Sequence, residues 1–274
     1  MGVITDAHGT LGSPPLVYTL LMLRFPTQTG LDECIPMIQE SLKREYPIYE
    51  KRVQQAIEVA QNRDGHQTIS TITKPEYMFF DSERTKGVLV KEDRVVFHSN
   101  VYPSFDEFSS WFKDVAEAVV KALSISHYVG CGIRYIDALL PDYDSGESLD
   151  DYLKSSLQNF NVDDEGISGC IGSTQVYLYQ TNYGSLTFKS YELFEDDICV
   201  PPDLNDTFSL LRPKGEKKKA PFAVLDFDHG YLAPDGTAVD FDLDELVVKI
   251  DEMHKVASEA FLQAINPDAI KRWK

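Results

Sequence analysis

The stretch YVGCGIRYIDAL, residues 128–139, decides how the chain is built. It is dense in β-branched and aromatic residues and closes just before Pro141, so it reads as a strand. Side chains alternate across a strand, which puts Arg134 and Ile136 on one face and Ile133, Tyr135 and Asp137 on the other. An arginine buried there needs a carboxylate or a ligand anion, because an unpaired guanidinium in a core is costly. Two readings follow for Arg134: an internal ion pair, or a holder of an anionic ligand.

Upstream of this strand, Ser104 and Glu107 form a capping box, and Phe105, Phe108, Phe112, Val115, Val119 and Leu123 make one apolar stripe of a helix. Before it come short β-type segments at Thr68–Thr73, Tyr77–Phe80, Gly87–Lys91 and Arg94–Ser99, the last two joined by a tight turn at Glu92-Asp93. Leu16–Phe25 reads as a central strand stopped by Pro26. A helix follows on Leu31, Ile35, Ile38 and Leu42, with Pro36 expected in its tolerant first turn. Residues 48–62 fit a helix or a long strand equally, and Arg63-Asp64-Gly65 is a turn.

Downstream, an acidic linker (Asp142, Asp144, Glu147, Asp150, Asp151) leads to an expected short helix at Leu149–Phe160. Thr174–Gln180 and Ser185–Leu193 form a hairpin about Asn182-Tyr183-Gly184. Phe222–Leu232 is a further strand, and Leu243–Ile265 a final helix capped by Asp242 with Glu245. The fold class is α+β, antiparallel sheets with long capped amphipathic helices. The same order of strands and then a capped helix occurs in residues 1–140 and in 141–274, which fits either an internal duplication or one continuous domain.

The chain has 274 residues, 43% hydrophobic and 26% charged, enough for a large core and wrong for disorder or a disulfide scaffold. Its formal net charge is −18, and 26 of its 44 acidic residues follow Leu140. Such a field repels phosphate backbones and steers basic proteins, so nucleic acid is not expected as a partner. Cys34, Cys131, Cys170 and Cys199 are far apart, with no zinc spacing, and Cys131 reads as a small core residue. No apolar run reaches the length of a membrane span and no export signal is visible, so a cytoplasmic protein without cofactor is expected.

The chain resembles a sporadically distributed bacterial family of uncharacterised proteins. The likeness rests on Phe25-Pro26, IQESLKREYP, VVFHSNVYPSFDEF, GIRYID at Gly132–Asp137, VLDFDHG, and His254, Phe261 and Ile265. The family carries G-L-R-Y-I-N, so Ile133 and Asp137 are mild departures. The resemblance implies a bacterial accessory protein, with a patchy distribution that suits a defence-linked or toxin-neutralising gene. It carries over no catalytic residues.

Candidate chemistry is sparse. No nucleophile elbow, phosphate loop, dinucleotide fingerprint or H-E-x-x-H is present. Asp226 and Asp228 share a strand face and could bind a divalent cation or share a proton, with His229 alongside on the other face; solvated strand-end acids explain them as well. Asp240, Asp242 and Asp244 imitate a calcium loop, but Glu245 stands where that loop needs glycine. His254 falls beside the last helix's stripe, as a packed histidine. Tyr177, Tyr179 and Tyr191 are expected together on the non-core face of the hairpin, either as a docking surface or under a second layer. Lys217, Lys218 and Lys219 form the only basic run. The expected function is non-catalytic binding of a basic protein partner through this acidic, tyrosine-bearing surface. The alternative is a ligand-binding or metal-assisted enzyme using Arg134 with Asp226 or Asp228.

Overall fold

A computed structural model describes residues 6–9, 11–61, 67–158, 166, 170–193, 200–209, 211 and 221–274. In chain order the elements are β1 (Leu16–Arg24), α1 (Leu31–Leu42), β2 (Ile48–Gln61), β3 (Gln67–Phe80), β4 (Lys86–Lys91), β5 (Arg94–Ser99), α2 (Phe105–Leu123), β6 (His127–Tyr128) and β7 (Gly130–Leu139). They continue with β8 (Gly172–Thr181), β9 (Gly184–Leu193), α3 (Asn205–Phe208), β10 (Phe222–Leu232), β11 (Val239–Asp240), α4 (Leu243–Ala264) and α5 (Pro267–Trp273).

Nine strands form one antiparallel sheet in the order β2-β3-β4-β5-β1-β7-β10-β9-β8. The fold is α+β. Each of the two central strands opens a meander that returns to lie beside it: β1 pairs with β5, and β7 pairs with β10. Each meander then leads into a long helix, α2 or α4. A cut at residue 140 would part β7 from β10, its neighbour along Gly130–Leu139.

Register assigns the faces. Leu21, Leu23, Phe97, Ile133, Tyr135, Leu225, Phe227 and Phe188 lie on the side covered by α1, α2 and α4. Tyr18, Met78, Phe80, Ile136, Phe222 and Val224 lie on the other, against Val200, Leu204, Phe208 and Leu211. Helices gathered on one face of an antiparallel sheet bury both apolar stripes at once. The N-cap bonds form at both helices: Ser104 Oγ accepts from Glu107 N at 3.2 Å and an Asp242 carboxylate oxygen from Glu245 N at 2.9 Å. Asp6, from the first described segment, adds a second cap by accepting from Phe105 N at 2.8 Å.

Several expectations change. Residues 48–61 are strand, each of them opposed to a residue of β3. β3 runs unbroken through Pro75; β4 pairs only with its Tyr77–Phe80 end, so at Pro75 one side of β3 has no described ladder to lose. Pro36 sits in the second turn of α1 instead of the first, since the helix begins at Leu31. That position forfeits one backbone hydrogen bond. The helix expected at Leu149–Phe160 is two 3₁₀ turns, Leu149–Asp151 and Ser155–Leu157, within the described part. Its backbone bonds outward to the end of α4, Lys154 N to Ala264 O at 3.1 Å and Asn266 N to Tyr152 O at 2.8 Å, which breaks the helical ladder. Buried Leu149, Leu153 and Leu157 produce the helical spacing without the helix. The turn at Arg63-Asp64-Gly65 and the Lys217–Lys219 run lie outside the described residues.

Candidate functional site

Arg134 on β7 stands opposite Asp228 on β10, two pairs along from Asp226 opposite Ile136. All three polar side chains therefore share the face away from the long helices. The Arg134 guanidinium grips Asp226, Nε donating to Oδ1 at 2.7 Å and Nη2 to Oδ2 at 2.8 Å. Its other edge donates to Asp203, Nη1 to Oδ2 at 2.6 Å and Nη2 to Oδ1 at 3.2 Å. Burial works against the charge, yet these two carboxylates hold the guanidinium above its ordinary range. Asp203 in turn is largely exposed; its partial desolvation lifts its pKa, but the Arg134 bonds prevail and hold it low. Of the two readings of Arg134, the internal ion pair is the geometry present. An anionic ligand would have to displace Asp203.

Asp226 is fully buried with both oxygens taken by Arg134, and Lys189 Nζ lies 3.7 Å from Oδ2. Asp228 is pushed up, chiefly by burial and also by Asp226. The expectation of solvated strand-end acids fails at Asp226, whose two oxygens are both bonded by the Arg134 guanidinium and which has no exposed surface. His229 faces the long helices, with Nδ1 donating to Met253 O at 2.9 Å and Nε2 2.8 Å from Thr181 Oγ1. Burial lowers its pKa. Both ring nitrogens are thus engaged, and the Arg134, Asp226, Asp228, His229 set is split between two faces.

The three tyrosines are split as well. Directly opposed residues of antiparallel strands share a face, and Tyr177 opposes Phe188 while Tyr179 opposes Leu186. Tyr177 and Tyr179 therefore lie on the helix-bearing face, whereas Tyr191 opposes Thr174 on the other. There Tyr191 is half-buried, its pKa raised to about 12 by burial and by Asp226 and Asp203. The shared face expected for all three needed a register one residue away from the one the two-residue turn sets. Gly184 closes that turn at φ 140°, where a Cβ would stand 2.1 Å from Gly230 O.

Tyr177 and Tyr179 instead join an aromatic ladder. Tyr177 stacks on Phe188 at 5.6 Å, and Phe188 on Phe227 at 4.6 Å. Past the end of the ladder a groove of about 530 Å³ opens between β8, β9, α4 and the Ser155–Leu157 turn. Tyr177, Tyr179, Leu186 and Val256 wall it, and Glu259 supplies its charge. Tyr179 is 49% exposed, and its strand neighbours Val176 and Leu178 are 55% and 78% exposed on the opposite face.

The chain matches no protein-family model and no curated protein.

A polar cluster that the sequence reading missed lies inside the helix-bearing core. His8 Nε2 is 2.9 Å from Asp137 Oδ1, both side chains fully buried. His8 lies against Tyr135 at 5.0 Å and Phe261 at 4.5 Å, ring to ring. Tyr135 OH is 2.7 Å from His254 Nδ1 and 3.3 Å from Tyr102 OH. Burial foremost holds the Tyr135 phenol well above its ordinary range. A signal was present: alternation already placed Asp137 on the same strand face as Ile133 and Tyr135, and a carboxylate among such residues needs a partner where that face is buried. The acidic linker is likewise anchored, with Arg272 of α5 paired to Glu147 and Asp151. Among the described residues no helix is long and apolar enough to cross a membrane.

Proposed function

We propose that this chain is a non-catalytic binding protein that docks a basic protein partner on the groove of Tyr177, Tyr179 and Glu259. The observation that carries the reading is the exposure of Tyr179, Val176 and Leu178 together on one uncharged strand at the end of the sheet. Scattered exposed apolar residues are ordinary, but here apolar side chains are exposed on both faces of one strand at the sheet's end, with the groove on the Tyr179 face, and such an edge invites a partner. Tyrosine suits such a site, offering large area at low entropic cost. The net charge of −18 favours a cationic partner over nucleic acid through long-range attraction. A cytoplasmic, toxin-neutralising or defence setting is proposed on the resemblance and the unpaired cysteine pattern alone.

The test is photo-crosslinking in cells from a reactive residue at position 179, with one at exposed Val248 as the control. The reading requires an adduct specific to position 179, to a protein of high isoelectric point. The purified pair must then weaken as salt rises and with Tyr177→Ala plus Tyr179→Ala. Adducts equal at both positions, or an acidic partner, defeat it.

A further inference from the structure

Resting on that reading, we propose how the partner is held: an extended basic segment adds to β8 as a further strand of the sheet. Among the described residues β8 and β2 are the two edges. An edge strand leaves every second residue's N–H and C=O unpaired, and proteins guard such edges with charge or proline. β2 is guarded by Glu50, Lys51 and Arg52, with Glu50 paired to Arg84 and Lys51 to Asp32 at 2.8 Å. β8, GSTQVYLYQT, has no charge and no proline along its 10 residues. Nothing in its sequence repels an incoming strand.

Both faces of β8 offer contacts for the alternating side chains of such a strand. On one face Val176 and Leu178 are bare; on the other the newcomer's side chains lie beside Tyr177 and Tyr179, over the groove. The ends are acidic. Glu192 opposes Ser173 at the start of β8, Glu252 hydrogen-bonds Tyr183 in the turn at its other end, and Glu259 stands between. Of the nearby lysines, Lys189 lies 3.7 Å from Asp226 and Lys255 is 2.7 Å from both Asp251 and Glu252, while Lys249, beside the turn, is held over the Tyr231 ring and by the Tyr128 hydroxyl. Charge complementarity therefore selects a segment of alternating apolar residues with Lys or Arg at its ends. Main-chain bonds supply affinity in this mode and side chains the choice of partner.

The experiment uses the full chain and three synthetic peptides, read by fluorescence anisotropy and by hydrogen exchange of residues 172–181. One alternates Val and Thr with Arg at both ends, the second is the same peptide N-methylated at alternate amides, and the third ends in Glu. The first is expected to bind and slow exchange across β8. The second and third should each bind at least about tenfold more weakly, for lost ladder bonds and lost attraction respectively. Equal binding of the first two overturns strand addition yet leaves groove docking standing, which the crosslink at position 179 decides by itself. Equal binding of the first and third overturns the basic segment. No binding by any of the three, or concentration-dependent protection of β8 with a doubled mass and no peptide, also overturns the proposal, the latter by naming a second copy as the occupant.

Discussion

Arg134 and Asp226 meet as a two-pronged pair across β7 and β10, at 2.7 and 2.8 Å, in a layer where Asp226 has no exposed surface. Removing one member of such a pair leaves a buried charge uncompensated, which is far more costly than removing both. Arg134→Met or Asp226→Leu alone should each destabilise by about 3 to 5 kcal/mol, and the double variant by clearly less than their sum. Urea denaturation of the three proteins measures this. Asp203, whose side chain is 57% exposed, pairs with the same guanidinium. Asp203→Asn should change stability by less than about 1 kcal/mol.

His98 is fully buried, its Nδ1 3.0 Å from Tyr18 OH, and burial depresses its pKa from 6.5 to about 3. The ring crowds Gly87, where a Cβ would stand 2.2 Å from Nε2. A base with a depressed folded pKa binds fewer protons folded than unfolded, so its contribution to stability is lost as pH falls below 6.5 toward 3. Between neutral pH and about pH 4.5 the native chain should lose about 2 to 3 kcal/mol more than His98→Gln does. Parallel denaturation curves at the two pH values check it; equal losses would remove His98 as the source.

His8 and Asp137 link the first described segment to the central strand. His8→Ala leaves a buried carboxylate oxygen without its donor and a hole beside Phe261, so a loss of about 2 to 4 kcal/mol is expected. His8→Asn, with an amide that still reaches toward Asp137, should recover part of it. Thermal unfolding ranks the two variants.

Along the aromatic ladder the cost of truncation should fall toward the sheet's end. Phe188→Ala, stacked at 4.6 Å on Phe227, should cost about 3 to 5 kcal/mol. Tyr179→Ala should stay within about 1 kcal/mol. If Tyr179→Ala proves as costly as Phe188→Ala, the phenol is a packing residue and the docking reading loses its anchor.

The order of strands and helices was legible because period and punctuation agreed: the α2 stripe with Ser104, the α4 stripe with Asp242, and the Glu92-Asp93 turn all formed as read. Pairing register was not legible. Periodicity says which residues of one strand share a face, but only the neighbour's alignment says which strands' faces coincide, and that parted Tyr191 from Tyr177 and Tyr179. The Leu149–Leu157 spacing misled for a related reason, since tertiary bonds to α4 replaced the helical ladder. At the site, the sequence foresaw a carboxylate for Arg134 and grouped Arg134 with Asp226 in one candidate pocket, but not as an ion pair. Asp203 and His8 stayed hidden because both sit on irregular segments brought in from far along the chain.

The two sides of the sheet are upholstered unequally. Three helices cover one, while among the described residues the other is held by Val200, Leu204, Phe208 and Leu211 and by Asp203's grip on Arg134. A short covering with few anchors detaches at a lower free energy than a packed helical layer, so native-state amide exchange should separate the molecule into two cooperative units. Detachment of the thinner one would bare Tyr18 and Phe222 and leave Arg134 one counter-ion short. Global unfolding would not be needed for that hidden surface to be seen.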